Sequence, residues 1–221
     1  MSWQNVDLFE LEATWFSEEL HKVIRPLFEQ GHEMLAKWDE DRKKSLREDL
    51  INAGDDESER QTASWLADLE DEHNRQRGQV LGAAALHYVY STLKTRLREL
   101  ARYFDKTHPR SPKGYQGKSD LDRMRNEYIQ RFAVDFENSP FFEHITELAL
   151  ARNAGVHLGV DTMEEYIEKV ERPRFCDGEE FYVSRAAFLE VLSEADQFFN
   201  WVVQALLPIR RAAAAGPRDS S

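Results

Sequence analysis

Apolar residues recur along most of the chain at the three- and four-residue spacing of a helix that buries one face. This periodicity predicts helices over six stretches: 7–52, 57–104, 120–138, 139–159, 161–170 and 184–207. The first stretch contains Pro26 and Gly31, where we expect a kink or a break. The pattern therefore predicts an all-α fold, an antiparallel bundle with long N-terminal helices.

The second half of the 57–104 stretch is a basic amphipathic helix. Lys94, Arg98 and Arg102 repeat every four residues beside its apolar stripe. They are candidate contacts to an RNA backbone, and the alternative is a solvated basic face paired with acidic neighbours. The apolar stripe consists of Leu86, Val89, Tyr90, Leu93, Leu97, Leu100 and Phe104.

Three segments depart from helical periodicity. Residues 52–59 contain small and acidic residues, which predict a turn that reverses the chain. Residues 105–120 hold prolines, glycines and several basic side chains, so we expect a loop. Residues 174–184 have two short β-prone runs around the dipeptide Asp177-Gly178, which predicts a small β-hairpin.

These elements suggest three parts. We expect residues 1–79 to form an acidic helical extension packed on the bundle, residues 80–207 to form the helical domain, and residues 208–221 to form a flexible tail. No apolar run approaches the ~18 residues of a membrane span, and residues 1–12 lack the pattern of a signal peptide. With Cys176 as the single cysteine, a cytoplasmic location fits best.

The net charge of -12 conceals an asymmetry along the chain. Residues 1–80 carry 20 acidic and 10 basic side chains, residues 81–135 carry 6 acidic and 11 basic, and residues 136–221 carry 15 acidic and 8 basic. A central segment of net charge +5 is thus flanked by segments of -10 and -7. A strongly acidic chain opposes nucleic-acid binding, but the basic centre permits it locally.

Other kinds of site find little support. Histidine, cysteine and carboxylate residues do not fall at metal-ligand spacings, and neither a glycine-rich phosphate loop nor a nucleophile elbow is present. We therefore expect no metal and no cofactor. Trp3, Trp15, Trp38 and Trp65 mark the extension as core or dimer surface, or as a cover for the basic cleft.

The candidate chemistry lies at a helix end, in "ARNAGVHLGV", where Gly159 stands as a C-cap. Asn153 and His157 are four residues apart and share a helix face, whereas Arg152 lies about 140° around the helix from His157. An ideal helix cannot aim both groups at one substrate. Either a local distortion or a second chain is needed to bring them together.

These residue types suit phosphodiester cleavage without a metal. An arginine can bind a phosphate, a histidine can accept or donate a proton near neutral pH, and Asn153 can orient both. Arg152 and His157 are thus the candidate catalytic pair. The alternative is structural: Arg152 would form an ion pair with Glu147 or Glu164, and His157 would cap the helix. From the spacing alone, both interpretations stay open.

"RNAGVH", Arg152 to His157, resembles the motif of the HEPN superfamily, an arginine and a histidine separated by four to six residues, in which the position after the arginine is often Asn. The surroundings are also similar: a basic helix upstream, an apolar helix into the motif, and a hairpin and an apolar helix afterwards. The similarity spans residues 80–207. An acidic residue that the family often has upstream is replaced here by Ser91 and Lys94.

The resemblance implies a helical bundle that forms a homodimer with both motifs in one cleft. It implies a metal-independent endoribonuclease that leaves 2',3'-cyclic phosphate ends and acts in bacterial toxin-antitoxin or antiphage defence, with RNA as substrate and an antitoxin or defence-system protein as partner. Arg152, Asn153 and His157 would form the catalytic site. The alternative is a catalytically silent HEPN-like module for dimerisation or regulation, which the net charge and the missing acid favour.

Overall fold

A computed structural model describes residues 8–52, 57–157, 160–178 and 180–214. The helices are α1 (Leu8–Glu18), α2 (Arg25–Asn52), α3 (Glu57–Arg102), α4 (Asp120–Phe132), α5 (Phe142–His157), α6 (Val160–Lys169) and α7 (Arg185–Ala214). The two short strands are β1 (Cys176–Asp177) and β2 (Glu180–Phe181). The predicted all-α fold is confirmed. Within the described ranges, no helix is long and apolar enough to span a membrane.

The predicted break near Pro26 takes the form of a π-helical turn, Glu19–Ile24, between α1 and α2. Proline has no backbone N–H, so it cannot continue the hydrogen-bond ladder of an α-helix. The N–H of Arg25 bonds to the carbonyl of Leu20, five residues earlier, and the helix axis continues. The chain from Leu8 to Asn52 is therefore helical throughout.

The core is one cluster to which the N-terminal helices contribute. Phe16 on α1 packs against Phe199 on α7, with ring centroids 4.6 Å apart, and Phe28 on α2 packs against Phe188 at 3.9 Å. The predicted stripe from Leu86 to Phe104 is buried at every position, with Phe104 just beyond the end of α3 at Arg102. Helix α3 is continuous across position 79, so the predicted boundary between extension and domain falls inside a helix.

Beyond this core, α2 and α3 form an antiparallel pair that we call the arm, residues 32–52 and 57–80. A Cβ on Gly31 would lie 2.7 Å from Leu81, and Arg77 stacks over Trp38 with its guanidinium 5.3 Å from the ring centroid. The chain therefore reverses between α2 and α3, as predicted. Among the described residues of the arm, Ala63 is the only buried one.

The tryptophans of the extension do not lie in the core. Trp15, Trp38 and Trp65 are 45%, 46% and 63% exposed. Trp3 lies outside the described residues. Of the predicted alternatives, the core role is therefore wrong for the three described tryptophans, whereas a dimer surface or a cover for the basic residues stays a prediction.

The loop after α3 is fastened by Arg131 of α4, whose side chain is 2% exposed. It donates hydrogen bonds to the backbone carbonyls of Ala101 and His108, each at 2.9 Å. It also forms ion pairs with Asp105 at 2.7 Å and Glu127 at 2.6 Å. The predicted loop 105–120 is confirmed up to Ser119, which caps α4 through a hydrogen bond from the N–H of Asp122.

Two predicted helix ends were wrong. Helix α4 stops at Phe132 rather than near 138, because Ala133 adopts a left-handed conformation with φ 54°. Helix α7 continues through Pro208 to Ala214, so residues 208–214 are not a tail. The guanidinium of Arg210 lies 5.0 Å from the ring centroid of Phe9, which ties this end to α1. The rest of the predicted tail, 215–221, lies outside the described residues.

The predicted hairpin is confirmed as the pair β1 and β2, with Cys176 opposite Phe181 and Asp177 opposite Glu180. Gly178 in its turn has φ 61°, a conformation that favours glycine. The hairpin is attached to α5 through Glu147, which accepts hydrogen bonds from Tyr166 at 3.0 Å and Arg174 at 2.7 Å. This attachment places Phe181 against the second half of α5.

Candidate functional site

The site is built where α5 crosses α3 at close range. A Cβ on Gly155 would lie 2.9 Å from the Cβ of Ala83 and 2.7 Å from the ring of Phe181. Ala151 and Ala154 of α5 are buried at the same crossing. Small side chains let the two helix backbones approach, so polar side chains at the edge of the contact can meet across it.

Arg152 meets His87 of α3 at this edge. The Nε of Arg152 donates a hydrogen bond to Nδ1 of His87 at 3.1 Å, and Nη1 donates to Oδ1 of Asn153 at 2.8 Å. Arg152 is half-buried and Asn153 is exposed. The structure thus brings Arg152 and Asn153 into contact and adds a histidine that lies 65 residues earlier in the chain.

His157 is the last residue of α5, and its side chain lies outside the described part of the structure. Its predicted catalytic role therefore stays a prediction. The structural alternative for Arg152 is wrong with respect to Glu147, because that carboxylate is occupied by Tyr166 and Arg174. Glu164 is an exposed residue of α6.

The hydrogen bonds define the tautomer of His87. An arginine Nε can only donate, so Nδ1 of His87 must accept and the ring proton must sit on Nε2. Nε2 lies 3.3 Å from Oγ of Ser91 and donates to it in this tautomer. Burial lowers the pKa of His87, and the charges of Arg152 and Lys94 lower it further. The ring is therefore neutral at neutral pH.

An open pocket of about 370 Å³ runs along the same part of α3. His87, Ser91, Thr95 and Arg96 contribute to its lining. Arg96 is held by carboxylates from α1 and the π-helical turn, Glu12 at 3.4 Å and Glu19 at 3.1 Å. The volume falls within the range of ligand sites. The charge of Arg96 is already compensated by these carboxylates. Arg152 does not line the pocket but contacts His87, which does, and both of its partners are neutral side chains.

The three basic residues predicted to bind RNA have different surroundings. Lys94 forms an ion pair with Asp120 at 3.0 Å, and Arg123 and Lys94 together lower the pKa of Asp120 to about 2. Arg98 and Arg102 are exposed on α3. With His87 and Ser91 they follow helical spacing, so one face of α3 leads from Arg152 towards the loop 103–119.

Sequence reasoning missed His87. Its contact with Arg152 depends on the crossing of α3 and α5, which the sequence does not specify. One signal was available: His87, Ser91, Lys94 and Arg98 are spaced by four, three and four residues, which puts a histidine at the end of a basic helix face. In the described part of the chain, no group of three or more His, Cys, Asp or Glu side chains could hold a metal ion.

Comparison with known proteins gave no matching family model, no matching curated protein and no matching solved structure. What the chain does must therefore be inferred from the geometry of its own residues.

Proposed function

We propose that this protein is a metal-independent endoribonuclease of the HEPN type. The observation that carries the proposal is the contact of Arg152 with Asn153 and with His87, a residue that lines an open pocket. Both contacts use neutral acceptors, so the positive charge of Arg152 is not cancelled by them. Among the described residues Arg152 has no other hydrogen-bond partner, so Nη2 and the second hydrogen of Nη1 remain to bind the two oxygens of a phosphodiester.

The proposed reaction is an internal displacement at phosphorus. The 2'-oxygen of the RNA attacks the adjacent phosphorus, its proton passes to a base, and the bond from phosphorus to the 5'-oxygen breaks as that oxygen takes a proton. The products are a 2',3'-cyclic phosphate and a 5'-hydroxyl. Arg152 stabilises the negative charge on the phosphate oxygens, and His157 serves as general acid or base.

His87 and Asn153 are positioning residues in this mechanism. By accepting from Nε and Nη1, they hold the guanidinium plane in one orientation, which a flexible arginine does not keep alone. In this proposal His87 supplies the acceptor for Arg152, in a chain that has Ser91 and Lys94 where the family often has an acidic residue. A neutral acceptor orients Arg152 without forming the ion pair that would compete with a phosphate.

The basic face of α3 supplies the proposed contacts to the RNA backbone. Arg98 and Arg102 are exposed there, and Lys94 can release its ion-pair partner Asp120 and bind a phosphate instead. The acidic segments of the chain repel RNA elsewhere, so binding would be confined to this face. A homodimer, a neutralising antitoxin or defence-system protein, and a role in toxin-antitoxin or antiphage defence belong to the same proposal and rest on the HEPN resemblance.

The purified chain is expected to cleave single-stranded or structured RNA in the presence of EDTA, with 2',3'-cyclic phosphate and 5'-hydroxyl ends. His157→Ala is expected to lower the rate about 10²-fold or more, the scale of a lost general acid or base. Gel analysis of end-labelled RNA with enzymatic end typing measures both. His144→Ala, thirteen residues earlier on α5, is the control and should leave the rate unchanged.

Two outcomes of this experiment would contradict the proposal. Cleavage that His157→Ala does not slow would indicate another site or a contaminating nuclease. Absence of cleavage from every sample would remove the enzymatic assignment. Growth of cells after induction gives a second readout, since wild type should be tolerated less well than His157→Ala if the protein is a toxin.

RNA cleavage is expected to decline as the pH is lowered through the pKa of His87, which lies below the usual histidine value of 6.5. Protonation removes the acceptor at Nδ1 and places a second positive charge beside Arg152. Between the lowered pKa and 6.5 the unfolded chain also binds a proton that the folded chain does not, so folding stability declines in the same direction. A pH-rate profile and urea titrations at several pH values measure these effects.

His87→Asn tests the assignment, because its side-chain oxygen can accept from Arg152 and does not titrate. The variant should stay active and should lose the part of the acidic decline that belongs to His87. An unchanged profile in His87→Asn would assign the decline to another group.

A catalytically silent HEPN-like module is the second candidate. The ion pair between Lys94 and Asp120 favours it, because it reduces the positive charge available to RNA on α3. This candidate predicts dimerisation or partner binding without RNA cleavage under any of the conditions above.

A further inference from the structure

The pocket along α3 has an acidic wall to which the N-terminal helices contribute. Arg96 forms ion pairs with three carboxylates, those of Glu12 at 3.4 Å, Glu19 at 3.1 Å and Glu99 at 3.0 Å. Glu19 and Glu99 line the pocket, whereas Glu12 is buried. Because three carboxylates surround one guanidinium, this part of the pocket repels a phosphate and attracts neutral groups that donate hydrogen bonds.

Each of the two lining carboxylates keeps one oxygen for a ligand. Arg96 donates hydrogen bonds to Oε2 of Glu99 at 3.0 Å and to Oε2 of Glu19 at 3.1 Å. Among the described residues, neither Oε1 atom has a hydrogen-bond partner. The two side chains are 34% and 27% exposed. A carboxylate accepts hydrogen bonds and donates none, so these oxygens suit a ligand whose polar edge carries N–H groups.

Tyr88 gives the same pocket an aromatic surface. It lines the pocket and is 46% exposed. Within the part of the chain that the structure describes, its ring packs on no other ring and its hydroxyl forms no hydrogen bond. An accessible tyrosine of this kind is a stacking platform for a flat ring, such as a nucleobase. Thr92 and Thr95 add hydroxyl groups that can donate or accept hydrogen bonds.

The pocket runs beside the basic face of α3. At about 100° per residue, Lys94 and Arg98 lie within about 20° of His87 around the helix axis. Tyr88 and Glu99 lie about 100° and 120° from His87, on the side where the π-helical turn packs. An RNA backbone that follows the basic face therefore has the pocket next to it, within reach of a base.

We propose that this pocket binds one base of the RNA and prefers guanine. The inference rests on the proposed ribonuclease function, and it assigns hydrogen bonding to Glu19 and Glu99 and stacking to Tyr88. The Watson–Crick edge of guanine carries two neighbouring donors, N1–H and the N2 amino group. Adenine and cytosine carry one amino group each, and uracil carries one N–H. Two oxygens that only accept therefore match guanine best.

Glu19 gives the N-terminal helices a part in the site. It is the first residue of the π-helical turn, and it meets Arg96 of α3 from there. Such turns are rare and occur frequently at functional sites. Residues 1–79 have no counterpart in the HEPN resemblance. The preference for a base would therefore come from the extension of this chain together with α3, and not from the motif at the end of α5.

Binding of 2'-O-methyl RNA tests the proposal independently of cleavage, because the methyl group blocks the attacking oxygen. Four labelled pentanucleotides of uridine, with guanine, adenine, cytosine or uracil at the central position, are titrated with the full chain and followed by fluorescence anisotropy. The guanine oligonucleotide is expected to bind about tenfold more tightly than the uracil one. Glu19→Gln is expected to reduce this ratio to about twofold or less, and Glu99→Gln is a second variant with the same expected effect.

Two further variants separate stacking from hydrogen bonding. Tyr88→Ala is expected to weaken binding of all four oligonucleotides about fivefold or more, because every base has a face that can stack. Glu18→Gln is the matched control for Glu19→Gln. Glu18 is the adjacent residue, is exposed, and pairs with Lys22 at 2.6 Å. Its substitution should leave the ratio between guanine and uracil unchanged.

Equal affinity for the four oligonucleotides would overturn the proposal, as would the absence of binding. A guanine preference that neither Glu19→Gln nor Glu99→Gln lowers, in variants that keep the wild-type circular dichroism, would also overturn it. Failure of the ribonuclease assignment gives a different result. A guanine preference in binding without cleavage of natural RNA would support the base pocket and remove only the enzymatic assignment.

Discussion

Replacement of Arg152 with alanine is expected to reduce RNA cleavage about 10²- to 10³-fold, the loss that follows removal of one charge-stabilising donor. The side chain makes two hydrogen bonds to neutral acceptors and keeps its charge for the phosphate. Because it is only half-buried, its removal should leave the fold intact. Initial rates on an end-labelled RNA, with circular dichroism of the same samples, measure the effect.

Arg152→Lys separates charge from geometry. An ammonium group keeps the positive charge but cannot bond His87, Asn153 and a phosphate in one plane. We therefore expect it to recover only a small part of the lost rate. Arg172→Ala, at an exposed position after α6, is the control and should cleave as wild type does. If Arg152→Ala cleaves RNA as fast as Arg172→Ala, the proposed site is wrong.

Arg131→Met is expected to lower the free energy of unfolding by about 3–5 kcal/mol, the scale seen when one partner of a buried charge network is removed. The side chain of Arg131 is 2% exposed, and it satisfies two backbone carbonyls and two carboxylates. Methionine fills similar volume but leaves these acceptors without their donor. Urea unfolding followed by circular dichroism at a fixed pH measures the change.

Arg123→Met provides the comparison on the same helix. Arg123 is 50% exposed and pairs with Asp120 three residues away, so its loss should cost less than about 1 kcal/mol. Equal destabilisation by the two substitutions would mean that Arg131 does not hold the loop and the end of α3 together. A smaller unfolding slope in Arg131→Met would indicate that the loop separates before the rest.

Helices were predictable wherever burial imposed periodicity, as along the stripe from Leu86 to Phe104, where every predicted position is buried. The ends of the helices were less predictable, because each end depends on the backbone conformation of a single residue. Alanine rarely adopts a left-handed conformation, so the stop of α4 at Ala133 had no sequence signal. The continuation of α7 past Pro208 depends on contacts of Arg210 and its neighbours with α1, which local sequence cannot reveal.

The sequence could predict only the part of the candidate site that residues close together in the chain form. Arg152 and Asn153 are adjacent in sequence, and the structure places them in contact. His87 belongs to a different helix, and its meeting with Arg152 depends on the depth and angle at which α5 crosses α3. The exposed tryptophans show the same limit, because periodicity marks an apolar face without saying whether this chain or another covers it.

Gly155 gives the segment between Arg152 and His157 a structural role in addition to setting their spacing. A methyl group there would collide with Ala83 and with the ring of Phe181, so a larger residue must push α5 away from α3. A displacement of a few tenths of an ångström or more would stretch the 3.1 Å bond between Arg152 and His87. Gly155, which carries no functional group, thus determines whether Arg152 can reach His87.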